Sequence, residues 1–198
     1  MIRINPLQRA LLILLLLIPC GSAWAQWELD NTRSVLNFVT VKNSSVGEIH
    51  SFSSLVGYIS GAGKVQLTIS LDSVETLVPI RNERMRELLF ETVQFPAAII
   101  SAQVEPALLA AAAEGGVLTA DVPITLALHG QEKVLSMPVI VVGEGDGRLR
   151  VFSARPVLVN AGDFGLEGGV AALQKIAGLQ SISNAVPVTL HLLFVPAH

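Results

Sequence analysis

Residues Leu71–Pro96, LDSVETLVPIRNERMRELLFETVQFP, contain the end of one strand, a short helix and the start of the next strand. Apolar side chains occupy every second position up to Leu71, which is the period of a strand with one dry face. Helical spacing then appears at four apolar positions, which are Ile80, Met85, Leu88 and Leu89. The segment therefore predicts a helix from about Ile80 to Phe90 between two strands.

The rest of the chain is dominated by strand patterns. Clear alternation covers Lys64–Leu71, Leu118–Leu128 and Val186–Phe194, and weaker candidates are Ser34–Lys42, Phe52–Ile59, Ile99–Val104, Val134–Val142 and Leu149–Val159. Glycine-containing turns separate strands at Gly61–Gly63, His129–Gln131 and Gly143–Gly147. About eight strands in a chain of this size suit a closed antiparallel barrel or a sandwich.

Two further helices are predicted outside the opening segment. One runs from about Val170 to Ala177, ends at Gly178, and is expected to bury Val170, Leu173 and Ile176. Ala107–Glu114 is an alanine-rich helical candidate on a connection between strands. The pattern therefore favours a mainly β protein with short helices.

The first 25 residues have the features of a cleavable export signal. Arg3 and Arg9 supply a positive region before an apolar stretch, Ala10–Ile18, that is too short to span a bilayer. Ala23–Ala25 fits the small-x-small cleavage pattern, so cleavage is predicted after Ala25. The sequence therefore predicts a periplasmic location.

A lipoprotein is the competing interpretation, with Cys20 as the lipidated residue, but Pro19 stands where a small residue is preferred. Cys20 is the chain's one cysteine, so the mature protein is expected to lack disulfides and thiolate chemistry.

Removal of the signal also removes two arginines and makes a chain of net charge −3 more acidic. Nucleic acid is therefore an unlikely partner, because phosphate contacts need a basic surface.

Few residues suggest chemistry. Arg81, Arg84 and Arg86 could meet a phosphate or a quinone oxygen, or could simply form a solvated helix face. His50 could ligate a metal or haem, or could be a hydrogen-bonded structural histidine beside the acid Glu48. No G-x-S-x-G, phosphate-loop or HExxH motif is present, so no enzyme activity, catalytic residue, metal or cofactor is expected.

Six pieces in order resemble the YceI family along the whole mature chain. They are Trp27–Asp30 with Ser34, Val35 and Phe38; Gly47–Gly57 with His50 and Phe52; Ser73–Thr76 with Arg81-Asn82 and Met85-Arg86; Phe90-Glu91 with Phe95-Pro96; Asp163–Gly165; and Val186–Phe194. The family's helix often has a Gly-His pair after Arg-Asx, whereas Glu83-Arg84 stand here. This departure puts head-group recognition by the helix in doubt.

The resemblance implies one domain, residues 26–198, folded as an eight-stranded antiparallel lipocalin-like β-barrel with one or two short helices covering its ends. It also implies a polyisoprenoid ligand in an apolar tunnel, whereas the residues alone are equally consistent with a filled core. The expected ligand-binding residues of the cavity and its mouth are Phe38, Phe52, Val74, Arg81, Asn82, Met85, Leu88, Leu89, Phe95, Leu126 and Phe164.

The resulting hypothesis is a periplasmic carrier or sequestering protein for a polyprenyl phosphate or a quinone. Two alternatives stay open at this point. One is a redox accessory protein that handles quinone or haem for a membrane electron-transfer partner, and the other is a ligand-free stress-related barrel. A transient contact with a membrane surface, and a monomeric or homodimeric state, are also open.

Overall fold

The computed structural model describes residues 25–197 of the 198-residue chain. The predicted signal segment before Ala25, including Cys20, and the terminal His198 lie outside these residues. Within them, twelve strand segments and three short helices form one continuous antiparallel sheet with helical covers.

The strands lie close to the predicted alternating segments. They are β1 (Ala25–Leu29), β2 (Val35–Lys42), β3 (Val46–Phe52), β4 (Leu55–Ser60), β5 (Lys64–Ser70), β6 (Val74–Glu75), β7 (Ala97–Gln103), β8 (Val117–Leu128), β9 (Gln131–Gly143), β10 (Leu149–Ser153), β11 (Val157–Asn160) and β12 (Ala185–Pro196). Short 3-10 turns occupy Asn31–Arg33, Leu71–Ser73 and Ala161–Phe164.

The sheet closes into a barrel of eight strands in the order β1-β4-β5-β7-β8-β9-β10-β12, because β12 also pairs with β1. The long β12 pairs with β11 and β2 in its first half, and with β10 and β1 in its second half. Four barrel walls are therefore each built from two consecutive segments, β1 with β2, β3 with β4, β5 with β6, and β10 with β11. The predicted eight-stranded antiparallel lipocalin-like barrel is confirmed.

Two of the predicted strands are wrong as single elements. The segment predicted as Phe52–Ile59 breaks at Ser53 and Ser54, whose backbone N–H groups bond to Ser73 instead of a neighbouring strand. The segment predicted as Leu149–Val159 breaks before Pro156, which has no N–H to donate to a ladder. Both breaks lie where the chain bends. The alternation of buried side chains shifts by one residue at the first break, from Phe52 to Leu55, and keeps its phase across the second.

The helices are α1 (Pro79–Arg84), which continues as a π-helical turn over Met85–Leu89, then α2 (Pro106–Ala113) and α3 (Glu167–Ile176). Proline begins α1 and α2, a position where its missing N–H has no helical partner anyway. All three helical segments predicted from the sequence are present. Ile176, expected to be buried, is 47% exposed at the end of α3.

The interior of the barrel is divided into two halves of different character. The half enclosed by β1, β4 and β10 is filled, with Trp27, Leu149 and Phe194 at most 4% exposed, and α2 packs across it. The half enclosed by β2, β3 and β11 is lined by side chains around an empty space, and α1 and α3 cover it. A filled core and a cavity therefore coexist in one barrel.

Candidate functional site

A cavity of about 440 Å³ occupies the second half of the barrel. This volume lies within the range of ligand pockets in proteins. Its deep walls are aliphatic and aromatic, with Leu36, Ile100, Leu126 and Val188 among them. The filled half of the barrel closes its lower end, so the cavity is a blind pocket that opens beneath the helices.

Two paired strands give the cavity a gradient from apolar to charged. On β2 the inward positions are, in order towards the mouth, Leu36, Phe38, Thr40 and Lys42, and on β3 they are Phe52, His50 and Glu48. The period of two places these side chains on one face, and the register sets Phe38 opposite His50 and Thr40 opposite Glu48. Polar groups therefore collect at one end of an apolar pocket.

Glu48 is the centre of the charged cluster at the mouth. Its carboxylate accepts a hydrogen bond from Arg81 Nη1 at 2.6 Å, and Lys42 Nζ lies 2.5 Å from the same oxygen. The hydrogen bond from Lys42, together with the charge of Arg81, lowers the pKa of Glu48 below its ordinary 4.5. These contacts join the β2–β3 hairpin to α1 across the opening.

His50 is buried in the cavity wall, with 3% of its surface exposed. Its Nε2 lies 2.9 Å from Thr40 Oγ1, and its ring packs against that of Phe38 with centroids 5.2 Å apart. The Nδ1 atom is buried and has no hydrogen-bond partner within residues 25–197. Burial, followed by the charge of Arg81, lowers the pKa of His50 below 6.5, so the imidazole is neutral at neutral pH.

Residues 25–197 contain no group of three or more His, Cys, Asp or Glu side chains that could hold a metal ion. The other described histidines have structural contacts. His129 Nε2 lies 3.1 Å from a carboxylate oxygen of Glu91, and His191 stacks on Phe152 on the outer face of the barrel. No helix in the described part of the chain is long and apolar enough to cross a membrane.

Asn82 fastens α1 to the strand that precedes it. Its Oδ1 accepts hydrogen bonds from the backbone N–H of Thr76 at 2.9 Å and from the Thr76 hydroxyl at 2.5 Å. Its Nδ2 donates to Glu75, and Arg81 Nη2 donates to the Thr76 carbonyl at 2.6 Å. The Arg81-Asn82 pair that matches the family pattern therefore holds the helix over the mouth.

The second cover is α3 and the loop that follows it. Gly169 allows α3 to lie against the π-helical turn, since a Cβ at this position would stand 2.5 Å from the Leu88 carbonyl oxygen. The loop returns to the mouth, where Ile182 pairs with Lys42 and the Ser183 N–H bonds to Val41. Both covers are therefore fixed to the barrel next to the charged cluster.

Six of the predicted ligand-binding residues line the cavity, and these are Phe38, Phe52, Arg81, Met85, Leu89 and Leu126. The other five lie elsewhere. Val74 and Phe164 are buried in the packed core, Asn82 forms the anchor just described, Leu88 lies under α3, and Phe95 packs against His129. Arg84 also lines the cavity, whereas Arg86 donates to the carbonyl of Asp72.

Sequence reasoning did not select Thr40, Lys42 or the loop from Ala177 to Ser183, all of which line the cavity. A signal for the first two was present, because the inward positions of β2 change from Leu36 and Phe38 to polar residues. The loop has no such signal. Its place at the mouth depends on contacts between segments more than a hundred residues apart in the chain, such as the hydrogen bond from Gln180 N to Asn43.

Both the sequence and the architecture are similar to those of known proteins. The family model described as YceI-like domain matches residues 27–194. A polyisoprenoid binding domain from Saccharophagus degradans, implicated in plant cell wall breakdown, has a TM-score of 0.85 and 39% identity, over 88% of this chain and 100% of that one. No protein of curated function matches the chain.

Two more distant structures share the fold. BcnA of Burkholderia cenocepacia has a TM-score of 0.64 and 17% identity, over 83% of this chain and 98% of that one. The YceI protein of Campylobacter jejuni has a TM-score of 0.50 and 13% identity, over 75% and 84% of the two chains. With the family match over nearly all the described residues, the chain belongs to the YceI-like domain family.

Proposed function

We propose that this protein is a periplasmic lipid-binding protein that holds an isoprenoid-type ligand in the barrel cavity and acts as a carrier or sequestering protein. One observation supports this above all, namely a blind apolar pocket of about 440 Å³ with a polar cluster at its open end. The similarity to a polyisoprenoid binding domain at 39% identity supports the class of ligand. The export signal predicted before Gln26 supports the location.

The gradient along β2 and β3 implies the orientation of the ligand. An isoprenoid chain would lie against Leu36, Ile100 and Leu126, and its polar end would meet Lys42 and Arg81 at the mouth. Burial contributes about 0.8 kcal/mol per methylene-sized group. Several isoprene units are therefore needed to offset the roughly 4–15 kcal/mol that association costs.

Both ligand classes named from the sequence fit this arrangement chemically. The guanidinium of Arg81 and the ammonium of Lys42 can meet the phosphate of a polyprenyl phosphate. A quinone carbonyl can accept hydrogen bonds from the same groups. Neither role requires a reaction at the site, so we propose binding without catalysis.

The direct experiment is native mass spectrometry of the protein purified from its own envelope, followed by solvent extraction of any bound lipid. An excess mass that releases a long-chain polyprenyl phosphate or prenyl quinone is expected. Visible absorption from a haem would favour the redox accessory role instead. An empty protein that binds neither lipid class on titration would contradict the proposal.

A matched pair of variants tests whether the cavity is the binding site. Val188 lines the cavity on β12, so Val188→Phe places a larger ring in the empty space and is expected to lower lipid binding by about tenfold or more. Val134→Phe makes the same change at a position 74% exposed to solvent and should bind like the wild type. Equal binding by both variants would show that the lipid sits elsewhere.

A further inference from the structure

An apolar rim surrounds part of the cavity mouth. We use this term for Leu77, Val78 and Ile80 at the start of α1 and Ile176 at the end of α3, which are 87%, 39%, 53% and 47% exposed. Val78 and Ile80 also line the cavity, as does Ala177, the residue after Ile176. Exposed rim residues therefore adjoin the cavity lining on both covering helices, so apolar side chains reach from solvent to the cavity at each of them.

Several other exposed apolar side chains have an ordinary explanation. Val56, Val134 and Leu158 stand on the outward face of strands, where single apolar residues are common on soluble proteins. The rim differs because three of its members fall within four consecutive positions and because they border an opening. Contiguous exposed apolar surface of this kind is typical of interaction sites.

Leu77 presents its side chain to solvent from a strained backbone. Its φ is +62°, in the left-handed region that costs a residue with a Cβ roughly 1–2 kcal/mol. The Glu75 carboxylate holds this turn by accepting a hydrogen bond from the Leu77 N–H. Neither local backbone preference nor burial explains a leucine here, and strained positions of this kind cluster at functional sites.

The charges that line the mouth have the opposite sign to the chain as a whole. Lys42, Arg81 and Arg84 line the cavity with one carboxylate, Glu48, whereas the full chain has a formal charge of −3. The nearby Glu75 is engaged by Leu77 N–H and by the Asn82 amide. An anionic lipid surface attracts basic residues held within about a Debye length, and this arrangement is complementary to it.

We propose that the apolar rim is a docking surface for an anionic lipid bilayer. Leu77, Ile80 and Ile176 enter the boundary between head groups and acyl chains, while Arg84 faces the lipid phosphates. The mouth then opens directly onto the acyl region, and a lipid can pass between bilayer and cavity without crossing water. That use of the surface rests on the proposed lipid-binding function, whereas the docking itself does not.

The test is flotation of the purified protein with vesicles of phosphatidylcholine containing phosphatidylglycerol, with pure phosphatidylcholine vesicles for comparison. The wild type is expected to bind the anionic vesicles more strongly, and added salt should weaken binding. Leu77→Gln removes one inserted side chain and should lower binding by about tenfold, the effect of roughly 1.4 kcal/mol. Ile80→Gln should have a similar effect.

Leu158→Gln is the matched control, because Leu158 is 65% exposed on the outer barrel wall. It should bind vesicles like the wild type. Circular dichroism would verify that all three variants fold. Failure of the wild type to bind anionic vesicles, or equal binding by Leu77→Gln and Leu158→Gln, would overturn the proposal.

Lipid occupancy measured by native mass spectrometry separates this proposal from the proposed function. A protein that holds lipid in solution but ignores vesicles would refute docking and leave lipid binding intact. A protein that binds vesicles but never holds lipid would support docking and refute lipid binding.

Discussion

Replacement of Asn82 by alanine should weaken the attachment of α1 to the barrel. Asn82 is 8% exposed and Thr76 is 3% exposed, so the bonds between them are sheltered from water. The substitution leaves the Thr76 N–H without its acceptor and removes the shorter of the two hydrogen bonds of the Thr76 hydroxyl, whose other acceptor is the Val78 carbonyl at 3.4 Å. A buried donor left unsatisfied costs about 1–3 kcal/mol, and the lost hydroxyl bond adds about 1 kcal/mol. We expect the free energy of unfolding to fall by about 2–4 kcal/mol.

The assay is urea denaturation followed by far-UV circular dichroism, with the slope of the transition checked against the wild type. Asn37→Ala provides the control, because the Asn37 side chain on β2 makes no hydrogen bond within the described residues. This control should change the stability by less than about 0.5 kcal/mol. A second readout is the rate at which bound lipid is lost, which should rise in Asn82→Ala if α1 covers the cavity.

Equal midpoints for Asn82→Ala and Asn37→Ala would refute this reasoning. Such a result would mean that the Thr76 N–H finds water or another acceptor once the amide is removed. A loss of stability with no change in the release of lipid would be a narrower contradiction. It would show that α1 is part of the core but does not control access to the cavity.

Three other changes have clear expectations. Gly143→Ala should lower the free energy of unfolding by about 3 kcal/mol or more in urea denaturation, because the added Cβ would lie 1.7 Å from the Ala112 carbonyl oxygen. Gly168→Ala is the control, because a Cβ there would have no atom within 4 Å. It should be neutral or should stabilise the fold by up to about 1 kcal/mol. The pKa of His50 is lowered below 6.5 in the folded protein, so the unfolded chain binds the proton first as the pH falls. The free energy of unfolding should therefore decline from about pH 7 to pH 5. His50→Gln should reduce this dependence of stability on pH. An unchanged slope would mean that another group dominates. Leu77→Gly should raise the melting temperature, because relief of the left-handed strain at φ +62° is worth about 0.5–1 kcal/mol after the extra entropy of glycine in the unfolded chain is subtracted. A lower melting temperature would count against strain at this position.

Much of the barrel could be predicted because its signals are local. Alternation along Lys64–Leu71 and Leu118–Leu128 depends on which side chains face the interior, and each strand contains that pattern by itself. The break before Pro156 could not be located in the same way. The alternating pattern keeps its phase from Leu149 to Val159, and only the partner strands reveal where the ladder stops.

The candidate site was predicted less well than the fold. Phe38, Phe52 and Met85 line the cavity as expected, but Phe95 and Phe164 do not. Phe95 lies in the turn before β7 and packs against His129, and Phe164 lies in a 3-10 turn, so strand periodicity gives no guide to where their side chains point. Lys42 was missed because a charged residue at the end of a strand usually faces water. It pairs with Glu48 across the hairpin, and Arg81, which binds the same carboxylate, comes from a helix more than thirty residues later in the chain.

Local patterning thus established the strand composition, the short helices and the family, since each rests on residues near one another in the chain. The tertiary structure was needed to show that the interior is half core and half cavity, and that the cavity ends in a charged cluster. It also showed that Leu77, Val78, Ile80 and Ile176 stay exposed on the two helices that cover the cavity. These features depend on closure of the barrel and on helices docking across its mouth, which are contacts between distant segments that no local period encodes.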